Sequence, residues 1–273
     1  MLLVADVHGA AAALRKVATA GEPLLVLGDL INFIDYRSND GILAEVAGRN
    51  VVGELVRLRT AGDFAGAASV WRGFATGREL ELRQAFDDQV TKAYEEVCEA
   101  LEGSDAYVIH GNVDRPDLLA RMLPEGCRFV DGEVVEIEGL RIGFAGGGAP
   151  SLGTPGEISE TDMAQKLATL GPVDVLCTHV PPAVTPLAKD VIGGRQKSFN
   201  AILDYLLRHQ PAYHYFGDIH QPQAVSWRVG ATACRNVGYF RATGRAVRHE
   251  PVATSAADPH ANRRRGPNSP HQH

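Results

Sequence analysis

Asp6 and His8 stand two residues apart at the end of an apolar run, Met1-Leu2-Leu3-Val4-Ala5. In extended backbone, residues two apart point the same way, so a carboxylate and an imidazole are presented to one point. Carboxylate oxygen with imidazole nitrogen is a common ligand pair for Zn, Mn or Fe. The same spacing returns at Asp218 and His220, after Tyr213-His214-Tyr215-Phe216. Three more apolar runs end on side chains of similar type: Leu24–Leu27 before Gly28-Asp29 and Asn32, Ala106–His110 before Gly111-Asn112-Val113-Asp114, and Val173–Cys177 before Thr178-His179. Any one of them alone reads as a turn or a satisfied structural residue. Five in series point to one metal-binding site with Asp29 as its hub.

Such a site needs strands to carry it. Short all-apolar runs bounded by glycine read as buried strands, and a polar residue past the end sits at the carboxyl edge of a sheet. Open α/β sheets hold ligands at that edge. Gly9 permits a sharp turn into a helix over Ala10–Ala20, and Pro116 suits the first turn of another. Pro181 and Pro182 fix the backbone after His179. Residues 33–40 form a polar loop near the site mouth. Over residues 42–102, Leu82, Phe86, Val90, Ala93, Val97 and Leu101 recur at helical steps, with Asp87, Asp88, Lys92, Glu95, Glu96 and Glu99 mostly opposite. That pattern predicts a solvated helical insert covering the sheet. Residues 128–150 alternate as strands, with Val134, Ile137, Ile142 and Phe144 as core candidates. Gly146-Gly147-Gly148 allows close backbone approach, but the Gly-Lys-Ser/Thr of a phosphate loop is absent.

Composition narrows the classes. At 273 residues, 45% hydrophobic and 22% charged, the chain supports one substantial core. The net charge of -6 is uneven: residues 241–273 hold six Arg against Glu250 and Asp258, leaving -10 on residues 1–240. An acidic body disfavours a nucleic-acid partner. Cys98, Cys127, Cys177 and Cys234 form no CxxC pair and read as buried thiols in a reducing compartment. Only five residues precede Asp6 and they belong to the first strand, so no leader is expected. No apolar run is long enough to span a bilayer, and the cytoplasm is the expected location. One domain is expected over residues 1–250, with the insert at about 42–102 and a disordered tail, 251–273, carrying Arg263-Arg264-Arg265.

The series Asp6-x-His8, Gly28-Asp29-x-x-Asn32, Gly111-Asn112-x-Asp114, His179 and Gly217-x-x-His220 resembles the calcineurin-like metallophosphoesterase superfamily, across residues 6–220. The resemblance implies a four-layer αββα sandwich with a two-metal centre at the sheet ends. By position, one ion would be held by Asp6, His8, Asp29 and His220, the other by Asp29, Asn112, His179 and Asp218, so that Asp29 bridges. Mn or Fe is expected, with Zn or Mg as alternatives. The implied activity is hydrolysis of a phosphate mono- or diester in a phosphorylated small molecule, by in-line attack of a metal-bound hydroxide. Two cations clamp the attacking and leaving oxygens of such a displacement and acidify bound water. Asp29, Asn112 and Asp114 are the expected catalytic group, Asp114 orienting a neighbour. Arg115, Arg195 and Lys197 are candidates for the substrate phosphate.

Two positions depart from the family pattern. Val113 stands where a leaving-group His is usual, and Asp218 where a ligand His is usual. They leave two rival expectations: a degenerate member that binds a phosphorylated ligand without turnover, and an Mn-dependent nuclease.

Overall fold

The computed structural model describes residues 1–151, 153–192 and 196–250. Arg195 and the tail from residue 251 lie outside the described residues. The described chain runs β1 (Leu2–Val4), α1 (Ala11–Ala18), β2 (Leu24–Leu27), α2 (Ile42–Ala47), α3 (Arg49–Thr60), α4 (Phe64–Ala75), α5 (Glu79–Leu101) and β3 (Ala106–Ile109). It continues through α6 (Pro116–Met122), β4 (Cys127–Phe129), β5 (Val134–Ile137), β6 (Leu140–Ala145), α7 (Glu160–Leu170), β7 (Val175–Thr178), α8 (Thr185–Ala188) and α9 (Asn200–His209). The last elements are β8 (Tyr213–Phe216), β9 (Ser226–Val229), β10 (Thr232–Asn236), α10 (Phe240–Thr243) and β11 (Val247–Arg248).

This is a mixed α/β protein built on two mixed sheets. The first has the order β11-β1-β2-β3-β4, the second β5-β6-β7-β8-β10-β9. The site-bearing strands are parallel: β1, β2 and β3 in one sheet, β7 and β8 in the other. Parallel strands put their carboxyl ends on one edge, and sequential parallel pairing needs the crossovers that α1 and α2–α5 provide.

Period-two alternation explains the packing. Leu3, Leu25 and Leu27 point between the sheets, where they meet Ile142, Phe144, Val175 and Tyr215. Their neighbours Leu2, Val4, Leu24 and Val26 point outward, onto Leu14 of α1 and Val90, Tyr94, Val97 and Leu101 of α5. On the second sheet, Leu176 and Phe216 face outward onto Met163 and Leu167 of α7 and Ile202 and Leu206 of α9. Strands buried on both faces read as continuous apolar runs, as these do. Full burial of one such Leu is worth about 1.5–3 kcal/mol.

The stretch 42–102 divides in two. Helix α5, with Glu79 and Glu81 in its first turn, lies on the first sheet and belongs to its covering layer. Helices α2–α4 build a separate cluster from Leu43, Val52, Leu55, Leu58 and Ala67, with Trp71 and Phe86 beside it. Helix α4 starts on Asp63, which accepts from Gly66 N–H, and α7 on the Ser159/Asp162 capping box. Strands β9–β11 had no counterpart in the sequence reading: β9 is largely exposed and β11 is two residues long, so neither carries an apolar run. Among the described residues, no helix is long and apolar enough to cross a membrane.

Candidate metal centre

The ends of β1, β2, β3, β7 and β8 meet. Asp6, Asp29, Asn112, His179 and Asp218 are buried to 6% exposure or less, and His8 to 8%. The backbone there takes unusual conformations: Asp6, His8, Asp29 and Asp218 have φ of 57°, 42°, 54° and 63°. Left-handed backbone at non-glycine residues costs about 1–3 kcal/mol each and clusters at functional sites.

Glycines let the elements close on these side chains. A Cβ on Gly111 would lie 2.2 Å from Asp29 Oδ1, and one on Gly238 2.2 Å from Asp6 Oδ2. Any side chain there would push into a carboxylate that the strand ends hold in place.

The donor chemistry fits divalent cations. His8 Nδ1 lies 3.2 Å from Ile31 O and His179 Nδ1 2.8 Å from Leu27 O. A carbonyl accepts only from N–H, so each ring holds a proton on Nδ1 and turns its Nε2 inward. His8 Nε2 is 3.2 Å from His220 Nε2 and 3.7 Å from Asp29 Oδ2. His220 Nε2 is 3.6 Å from Asp6 Oδ1. His179 Nε2 is 3.5 Å from Asp29 Oδ1 and 3.4 Å from Asn112 Oδ1. These nitrogens and oxygens converge as a set that a shared cation would stabilise.

Two sets have ligand atoms within 4.8 Å of one another: Asp6, His8 and His220, and Asp6, Asp29 and His179. Asp6 belongs to both, while Asp29 turns one oxygen toward His8 and the other toward His179. The charges reinforce each other. Burial penalises ionised Asp6, but His220 holds its carboxyl below the usual range. Burial opposes charge on His179, yet Asp29, Asp218 and Asp6 hold its pKa above the ordinary imidazole value.

Asp114 turns away from the centre. Its Oδ2 accepts from Asp29 N–H and Gly111 N–H at 2.8 Å, and its Oδ1 from Leu30 N–H at 3.0 Å and Tyr94 O–H at 3.2 Å. It ties the β2 and β3 loops together and orients Asp29 from behind. Burial and the Asp29 charge push its pKa up to about 6, even against the backbone donors.

Three expected site residues have partners that the sequence did not reveal. Asp218 belongs to neither ligand set; its Oδ1 lies 2.5 Å from Lys197 Nζ and 3.9 Å from His179 Nε2. Lys197, expected at a substrate phosphate, pairs with Asp218. Arg115 Nη1 lies 2.5 Å from Asp87 Oδ1, so its guanidinium already has an anionic partner. In each case an opposite charge from another loop or helix lies within reach, and sequence spacing carries no sign of it.

Other residues escaped the sequence reading. Tyr239 stacks on His220, with ring centroids 3.9 Å apart and planes 7° apart. Arg241 donates to His8 O and pairs with Asp35. Their signal is only a Gly238-Tyr239 step just beyond β10.

Beside the centre, a cavity of about 700 Å³ opens under helices α3–α5. Val113 and Arg115 form its wall on the centre side, while Trp71, Phe86 and Leu55 form part of the insert side.

Neither a scan of protein-family models nor a search of curated proteins returns a match. Among solved structures, one crystal structure aligns with TM-score 0.53 at 15% identity, covering 88% of this chain and 90% of that one. The crystal structure of TT1561 of Thermus thermophilus aligns with TM-score 0.49 at 12% identity, over 88% and 89% of the two chains. At such identity the first likeness extends to the fold alone.

Proposed function

We propose that the chain is a metal-dependent phosphoesterase of the calcineurin-like metallophosphoesterase superfamily, with the four-layer αββα arrangement of that family. One observation carries the reading: His8, His179 and His220 turn Nε2 atoms onto Asp6 and Asp29 at a shared carboxyl edge. Asp6, His8, Asp29 and His220 would hold one divalent ion, Mn or Fe by their mixed oxygen and nitrogen chemistry. Divalent ions held there would supply a nucleophilic water at neutral pH and neutralise charge on the phosphoryl oxygens. The chain's own residues fix the geometry. Asp114 holds the Asp29 loop, Ile31 O and Leu27 O fix two imidazoles, and Gly111 permits close approach.

The Lys197–Asp218 pair favours a second reading, a phospho-ligand binder without turnover. Mn-reconstituted protein assayed on an aryl phosphate monoester and the corresponding diester separates the two. Hydrolysis that disappears in Asp29→Ala supports the enzyme. Metal binding with no hydrolysis of either ester supports the binder.

A further inference from the structure

We propose that Lys197 takes the place of the second metal ion, so that the centre holds one divalent cation and one fixed ammonium. This rests on the metal-centre reading above and departs from its two-ion form.

Two sets could each hold an ion: Asp6, His8 and His220, with Asp29 adjacent, and Asp6, Asp29 and His179. On the second side, Asp218 Oδ1 is engaged by Lys197 Nζ at 2.5 Å, and Lys197 is three-quarters buried. An ion held by Asp6, Asp29 and His179 would lie beside that carboxylate, since Asp218 Oδ1 is 3.9 Å from His179 Nε2. It would therefore sit within a few ångströms of the ammonium, and like charges that close repel strongly in a partly desolvated site.

Charge balance agrees. Asp6, Asp29 and Asp218 present three carboxylates to the centre. One divalent ion and one ammonium neutralise them, whereas two divalent ions beside the ammonium would leave a net excess of positive charge. A lysine nitrogen can also donate hydrogen bonds to a phosphoryl oxygen, so the substitution keeps a cation where phosphate charge develops. Asp218 Oδ2 is buried with no hydrogen-bond partner, so deleting the lysine side chain opens both oxygens of that carboxylate to an ion.

The test is Mn(II) stoichiometry. Chelator-stripped full-length protein is titrated with Mn(II), bound metal is counted by mass spectrometry, and the spin state is read by electron paramagnetic resonance. Wild type should saturate at one ion per chain with the six-line spectrum of an isolated Mn(II). Lys197→Met should bind a second ion at least roughly 100-fold more tightly than wild type, with the spectrum of an exchange-coupled pair. Lys197→Arg keeps the charge and should stay at one ion, which checks the idea even if Lys197→Met folds poorly. Wild type that takes up two coupled ions overturns the inference and leaves the metal centre standing. So does a natively folded Lys197→Met that still binds one. Wild type that binds none overturns the metal centre along with it.

Discussion

His8 and His220, 212 residues apart in the chain, face each other Nε2 to Nε2 at 3.2 Å. His8 has its proton committed to the Ile31 carbonyl, so an unprotonated lone pair points at its partner. A cation bound by both imidazoles would tie the first strand end to the eighth. Metal should therefore stabilise the fold. At about 100 times Kd, ligand linkage adds about 2.7 kcal/mol, a rise of roughly 5–10 °C in Tm for a domain of this size. Thermal melts with Mn(II) and with chelator measure it. His8→Ala and His220→Ala should each lose most of the metal-dependent rise.

Asp114 offers a test of positioning separate from chemistry. Its two oxygens take four donors, and an amide can match only part of that set. Asp114→Asn should cost about 3 kcal/mol and lower metal affinity by loosening the Asp29 loop. Tyr94→Phe removes one donor to Asp114 and the acceptor for Arg115 N–H, and should cost about 1 kcal/mol. Denaturant unfolding with parallel Mn(II) titration reads both. An Asp114→Asn protein with unchanged stability would remove Asp114 from this role.

These two cases also mark what the chain spells out and what it hides. Asp6, His8, Asp29, Asn112 and His179 were legible because each follows an all-apolar strand, and strand ends have a fixed place in a parallel sheet. Of the core candidates over 128–150, Ile137, Ile142 and Phe144 lie between the sheets, whereas Val134 is half-buried and packs on the outer cluster. Helix α5 was visible as a helix, but its membership of the layer over the first sheet depends on Val90, Tyr94 and Val97 meeting Leu24 and Val26, a long-range fact. The Lys197–Asp218 and Arg115–Asp87 pairs were hidden because a charged side chain has no periodicity to betray its partner. Tyr239 and Arg241 were hidden because the loop after β10 has no motif of its own.

The buried imidazoles away from the centre set an acid limit. Burial lowers His214 to about 3 and His110 to about 4, both below the usual histidine value. As pH falls through about 6.5, the unfolded chain takes up protons that the folded chain refuses, so stability drops across that window. The sign for Asp114 is opposite, because its folded pKa is raised: its share of stability grows as pH falls through about 6. Comparing wild type with His214→Gln cancels that term. Metal-free wild type should lose about 2 kcal/mol more than the variant between about pH 7 and pH 5. Equal losses would mean that His214 is charged or solvated in the folded protein.

Leaving-group dependence tests the site at Val113. Its N–H donates to Asp29 Oδ1 at 3.0 Å, while its side chain forms part of the cavity wall. An alkyl side chain there gives no proton to a departing oxygen, and a positioned acid is typically worth ~10²–10⁴-fold. The nearby histidines do not replace it: His110 lies 3.3 Å from Asp131 and His214 2.9 Å from Thr178, both deeply buried. Leaving groups stable as anions, such as nitrophenolate, need no such acid, whereas simple alkoxides do. On the proposed phosphoesterase reading, rates across a series of aryl and alkyl phosphate esters should therefore fall steeply as leaving-group pKa rises. The aromatic side chains Trp71 and Phe86 favour the aryl members further by contact. Val113→His should flatten the slope by supplying the missing donor. A wild-type slope near zero, with chemistry shown to be rate-limiting, would mean that another group protonates the leaving oxygen, and Tyr36 on the same cavity wall would be the first to replace.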